Sequence, residues 1–165
     1  MATKRIIALD ISTSCMGACF ARNGDFIDAC YYQPKTTQDA WDRVSDMANW
    51  LMDKLKDFQP DVLIIEFPSG VHNNMDTNVK VGFAFGEMLT TFRYWFDYQG
   101  LERGQEVVVR PTEVKATGYH KNDFGKAEEL IGKKLEWDTK AEKDRLGNMV
   151  DAIGVWKAGA KQIEW

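Results

Sequence analysis

Cysteine, histidine and proline are scarce in this chain, long apolar runs are missing, and so is an excess of positive charge. The three cysteines, Cys15, Cys19 and Cys30, are odd in number and lack CxxC spacing. That argues against a disulfide framework or a zinc site and for reduced thiols buried in strand-like surroundings. The two histidines, His72 and His120, lie far apart in unlike loops and build no zinc constellation. No run approaches the roughly 18 apolar residues that cross a bilayer. The opening MATKRIIALDIS meets an acid before a signal-peptide core could form, so a cytoplasmic protein without a membrane partner is expected. Twenty-one Lys and Arg against 25 Asp and Glu leave a net charge of −4, which excludes a broadly basic surface and requires any polyanion site to be local. Repeats, low-complexity tracts and linkers are also lacking. What is present is enough apolar material for one core, 44 % of residues with nine Phe, six Trp and five Tyr, so residues 1–165 are expected to form a single domain.

Period and punctuation supply the order of elements. KRIIALDIS, CMGACFAR and DFIDACYYQ are short and β-prone, and Asn23-Gly24 is a hairpin signal, so an antiparallel three-strand meander is predicted. From Thr37 to Phe58, Trp41, Val44, Met47, Ala48, Leu51, Met52 and Leu55 recur at helical spacing until Gln59-Pro60. DVLIIEFP is a continuous apolar strand. After the turn formers PSGVHNN, residues 76–98 form a long helix rich in aromatics, and QEVVVRP is a further strand. Pro111 starts a short helix, a second is predicted from Phe124 to Leu135, and a last over 139–161. The order βββαβαβααα defines an α/β chain.

Two of these strands end in acids, Asp10 and Glu66. Joined by a crossover helix, the first and fourth strands would run side by side in parallel and place both acids at one carboxyl edge, where α/β sheets hold ligands. A single strand-end acid is commonly a cap or a lysine's partner. Two in one volume raise each other's pKa, and a divalent cation keeps both ionised. The last helix adds Asn148 and Asp151 one turn apart, with Asp151 interrupting the apolar run from Met149 to Trp156. Asp144 shares nearly the same face but falls in the charged stretch AEKDR and reads as solvated. Oxygen donors from Asp10, Glu66 and Asp151 suit Mg²⁺ or Mn²⁺. Nine basic residues between 110 and 145, among them Lys121, Lys140 and Lys143, are interleaved with eight acids and read as solvated helix faces.

Four segments together resemble the RuvC-type Holliday junction resolvases of the ribonuclease H-like superfamily, in a divergent form, over nearly the whole chain. IIALDISTSCMGACF is similar to the strand with the first catalytic Asp, here Asp10. LIIEFPSGVHNNMDTNVKVGFAFGEML is similar to the Glu-bearing strand, the DNA-facing loop and the glycine-containing dimer helix, matching Glu66, Lys80, Gly82 and Gly86. VRPTEVKATGYHKNDFGKAEEL resembles the segment with two functional lysines, matching Lys115 and Lys126, and NMVDAIGVW the C-terminal acidic motif with Asp151.

The resemblance implies a mixed five-stranded sheet of order 3-2-1-4-5 flanked by helices. It also implies a homodimer through helix 76–98 acting on branched DNA, and phosphodiester hydrolysis by two Mg²⁺ or Mn²⁺ ions per site. Asp10 would bridge the ions, Glu66 and Asp151 with Asn148 would hold one each, and Lys115 would meet the scissile phosphate. Val71 and His72 are the loop residues that would unstack a base, and Lys80 and Lys126 further DNA contacts. Two departures stand out: Asn148 replaces the Asp or His usual three residues before the last catalytic acid, and the net charge is negative. Two other readings remain open. LDISTSCMG also looks like the phosphate-binding first motif of the sugar kinase, actin and chaperone ATPase superfamily, although 165 residues leave no room for its second lobe. A non-catalytic nucleic-acid-binding module could also keep the same fold.

Overall fold

The computed structural model describes residues 3–68 and 74–163. Three antiparallel strands open the chain: β1 (Arg5–Ile11), β2 (Met16–Arg22) and β3 (Asp25–Tyr32). Asn23 and Gly24 turn β2 into β3 with φ of 51° and 88°, a conformation these two residue types tolerate. Helix α1 (Ala40–Phe58) begins where the Asp39 side chain accepts from the Asp42 amide, and it stops where Gln59 turns left-handed ahead of Pro60. There follow β4 (Val62–Glu66), α2 (Met75–Gln99), β5 (Gln105–Val109), α3 (Pro111–Ala116), α4 (Gly125–Ile131), α5 (Lys140–Gly159) and a closing 3-10 turn (Ala160–Gln162). The sheet order is β3-β2-β1-β4-β5, as the resemblance implies, with β4 parallel to both β1 and β5.

Alternation along the strands divides the apolar residues between two layers. Ile7, Leu9, Leu63 and Ile65 pack under α1 and α2. Ile6, Ala8, Val62, Ile64 and Val107 pack under α5 and its neighbours. The α5 layer approaches closely because two glycines permit it. A Cβ on Gly17 would stand 2.0 Å from the Asn148 carbonyl oxygen, and one on Gly159 would stand 2.2 Å from the Ile64 side chain. Gly147 and Gly154 serve the same purpose on the outer side of α5, where the chain between α3 and α4 lies against it through Lys121, Thr117 and Tyr119.

Two sequence expectations are corrected. The helix expected to reach Leu135 ends at Ile131, because Gly132 adopts φ 79° and closes it. Leu135 is buried beyond the helix end, its amide donating to Glu128 Oε1 at 2.9 Å. Trp41 has the spacing of the buried face of α1 but is 43 % exposed, edge-on to Phe83 of α2 with ring centroids 4.9 Å apart.

Candidate active site

β1 and β4 pair in parallel through Leu9 and Ile65, so Asp10 and Glu66, one residue further along each strand, emerge together at the carboxyl edge. Both line a cavity of about 200 Å³ with Ser12, Phe67 and Val81. Gly17 pairs with Asp10 across β1 and β2 and admits the α5 backbone at Asn148, so the same α5 turn carries Asp151 to the acids.

The electrostatics show that the three acids form one group. Burial raises Asp10 well above the usual carboxylate range, the charges of Asp151 and then Glu66 add to this, and Lys121 opposes it. Glu66 is pushed up to about 7 by burial and then by Asp151, with Lys115 drawing it back. Asp151 is raised by burial against three opposing influences: the Lys121 amide, which donates to its Oδ1 at 3.0 Å, the charge of His120 and the charge of Lys121. Three buried carboxylates, with the charge of Asp151 raising both Asp10 and Glu66, form a donor set suited to a hard divalent cation. Among the described residues, however, no three acid, histidine or cysteine side chains converge tightly enough to form a ready-made metal site.

The other residues singled out by sequence are placed as follows. Lys115 lies close enough for its charge to act on Glu66. Asn148 donates to the Asp144 carbonyl at 3.2 Å and hydrogen-bonds the Cys15 thiol, which burial pushes up to about 11. Lys126 turns onto its own loop, donating to the Thr117 carbonyl at 3.3 Å with its amine 5.9 Å from the Tyr119 ring centre. Lys80 pairs with Asp76 one turn earlier in α2. Val71 and His72 lie outside the described residues. Gly82 and Gly86 would meet nothing within 4 Å if given a Cβ, so that face of α2 is open.

The structure adds two residues that sequence reasoning missed, Lys121 and His120. Their only sequence signal is membership of the turn-rich GYHKND stretch, and close packing of that stretch on Gly147 is what brings Lys121 over the acids. The turn after β1 is closed on itself: Ser12 Oγ accepts from the amides of Ser14 and Cys15, and the Ser12 amide donates to the Cys15 carbonyl. These are amides that a phosphate-cradling turn would have to present outward.

Among solved structures, the chain is similar to Thermus thermophilus RuvC in complex with a Holliday junction substrate, at 15 % identity over 94 % of this chain and 96 % of that one, with a TM-score of 0.63. It is also similar to the yeast mitochondrial Holliday junction resolvase Ydc2, at 14 % identity over 96 % and 81 % of the two chains and a TM-score of 0.58. The Fowlpox virus resolvase in complex with its substrate Holliday junction DNA aligns at 10 % identity over 97 % and 99 %, with a TM-score of 0.51. No protein-family model and no curated protein sequence matches the chain. Sheet order, helix placement and strand-end acids define a ribonuclease H-like fold. The chain shares that fold with these resolvases.

Proposed function

We propose that this protein is a metal-dependent endonuclease that resolves four-way or other branched DNA by paired phosphodiester hydrolysis. The observation that carries the reading is the coupled trio Asp10, Glu66 and Asp151 at the carboxyl edge of a RuvC-type sheet. The likeness to resolvases solved with Holliday junction DNA supports branched DNA as the substrate class.

Asp10, whose carboxyl is raised by the charges of both Asp151 and Glu66, would be the ligand shared by two Mg²⁺ or Mn²⁺ ions. Glu66 would hold the ion on the attacking-water side, and Asp151 with Asn148 the ion on the leaving-group side. When bound, such ions lower the pKa of the attacking water and stabilise the departing oxygen. Lys115, whose charge acts on Glu66, would meet the scissile phosphate.

The protein acts as a homodimer in this reading, because paired nicks at symmetry-related positions call for two sites on one body. The open face of α2, with Gly82, Gly86 and the exposed Val79 and Phe83, supports that arrangement. Val71 and His72 would be the residues that help open the junction, and Lys80 and Lys126 would be outer DNA contacts once released from Asp76 and Thr117.

Labelled four-way, three-way and linear DNA incubated with Mg²⁺ or Mn²⁺ should give paired symmetric nicks in the branched substrates alone. Asp10→Asn should abolish cleavage and leave junction binding largely intact. Indifference to branching, or wild-type cleavage by Asp10→Asn, would overturn the reading.

A further inference from the structure

Beside the acids lies a second cavity, of about 650 Å³, lined by Ser12, Ser14, Lys121, Lys140, Lys143 and Asn148, together with Asn122 and Asp144. Ser12 lines both this cleft and the acid pocket, so the two adjoin at the turn after β1. The cleft carries three lysines and one acid, a local sign opposite to the protein's net charge of −4.

Those lysines are not spent on internal pairing. Among the described residues Lys80, Lys56 and Lys134 each have a carboxylate partner within ion-pair distance, whereas Lys121, Lys140 and Lys143 have none. Glu142, next to Lys143, is occupied by the amides of Asp138 and Thr139 in the cap of α5. Lys143 is steadied by Trp137, its amine 5.2 Å from the ring centre. Lys121 is fixed through its backbone, by the bond to Asp151 and by packing on Gly147. Lysines without a carboxylate partner that line one cleft, with Lys121 close enough for its charge to act on Asp10 and Asp151, suit a polyanion.

We infer that this cleft, between the turn after β1 and the first turns of α5, holds the sugar–phosphate backbone of the DNA strand adjoining the scissile phosphate, with Lys121 at the acid end and Lys140 and Lys143 further out. The inference rests on the reading of the protein as a branched-DNA nuclease and adds where the substrate strand runs. Ser14 and Asn122 supply neutral polar groups along the same wall, and no base-reading is required, in keeping with recognition of branch shape.

The test is the salt dependence of binding to a fluorescent four-way junction in EDTA, where no strand is cut, together with cleavage in Mg²⁺. Each lost phosphate contact lowers the slope of log K against log salt by about 0.9. The double variant Lys140→Ala/Lys143→Ala should therefore show a slope shallower by nearly two, and slower cleavage at subsaturating DNA. Lys56→Ala, on α1 and paired with Asp53, serves as the control and should match wild type in both. Thermal melts of all variants check that the fold is kept. An unchanged slope in the double variant, with a wild-type protein that binds and cuts junctions, would overturn the cleft assignment alone. A wild-type protein that neither binds nor cuts branched DNA would overturn the nuclease reading and the cleft assignment with it.

Discussion

Asp10 and Gly17 face each other across β1 and β2, and the pair shows how a residue without a side chain can build a site. The contact a Cβ at Gly17 would make is with backbone, the Asn148 carbonyl, so no rotamer change relieves it and α5 itself must move. Gly17→Ala should cost about 1–3 kcal/mol of stability, as overpacking does. It should also reduce cleavage more than the stability loss explains, because Asn148 and Asp151 move with the helix. Chemical denaturation and cleavage rates measured on the same preparation check both.

The acids themselves predict a pH dependence. Their folded-state pKa values are raised, so the metal-free protein gains protons on folding. The stability this confers is full below the ordinary carboxylate pKa and is lost as pH rises through the raised values, which for Glu66 means toward about 7. Thermal melts in EDTA should therefore fall in midpoint from pH 5 toward pH 7.5. Added Mg²⁺ or Mn²⁺ should restore the midpoint at the upper end, where the ligands are ionised. A midpoint indifferent to cation at pH 7.5 would contradict the metal assignment.

At the scale of elements, α5 does most to assemble the site, because it carries Asn148 and Asp151 on one side and one wall of the lysine cleft at its start. Its beginning is fixed by a capping box: Thr139 Oγ1 accepts from the Glu142 amide at 3.2 Å, and Glu142 accepts from the amides of Thr139 and Asp138. Thr139→Ala should lower stability by about 1 kcal/mol. These bonds hold the Glu142 carboxyl below its usual value. Its contribution is thus present above the ordinary glutamate pKa and lost as pH falls through the depressed one, and Glu142→Gln should remove that acid-side dependence from the melting profile.

At the scale of the whole molecule, the question is what covers α2. Phe92, Trp95 and Phe96 are core residues, and Phe85 is half-buried with its ring 5.7 Å from that of Phe67, so the aromatic surplus of this helix is narrower than its composition suggests. Val79, Phe83, Tyr94 and Tyr98 are left exposed along it, Tyr94 and Tyr98 stacked on each other. A second copy of the chain lying on the Gly82 and Gly86 face would bring two acid clusters into one body. Sedimentation at micromolar concentration should show a dimer, and Phe83→Glu should yield folded monomer that no longer makes paired nicks. A wild-type monomer that still makes them would refute the dimer.

The sequence by itself determined the elements and their order, because their signals are local. Asn23-Gly24 carries its own turn, Gln59-Pro60 and Gly100 end helices through their own backbone angles, and apolar period separates strand from helix within a few residues. It also exposed Asp10, Glu66 and Asp151, since a charge within or at the end of an apolar run is conspicuous without any structure. The end of α4 at Gly132 escaped the periodic reading because Leu135 keeps helical spacing while packing from a loop, and Trp41 escaped it because period cannot tell a core contact from an exposed ring pair. Only the tertiary structure decided that Lys121 acts on Asp10 and Asp151, that Lys126 turns onto Thr117, and that Lys140 and Lys143, on the first turns of α5, line a cleft beside the acids. Those outcomes depend on close approaches at Gly17 and Gly147 between segments far apart in the chain, and a lysine's surroundings there are set by what packs against it, which nothing in its local sequence records.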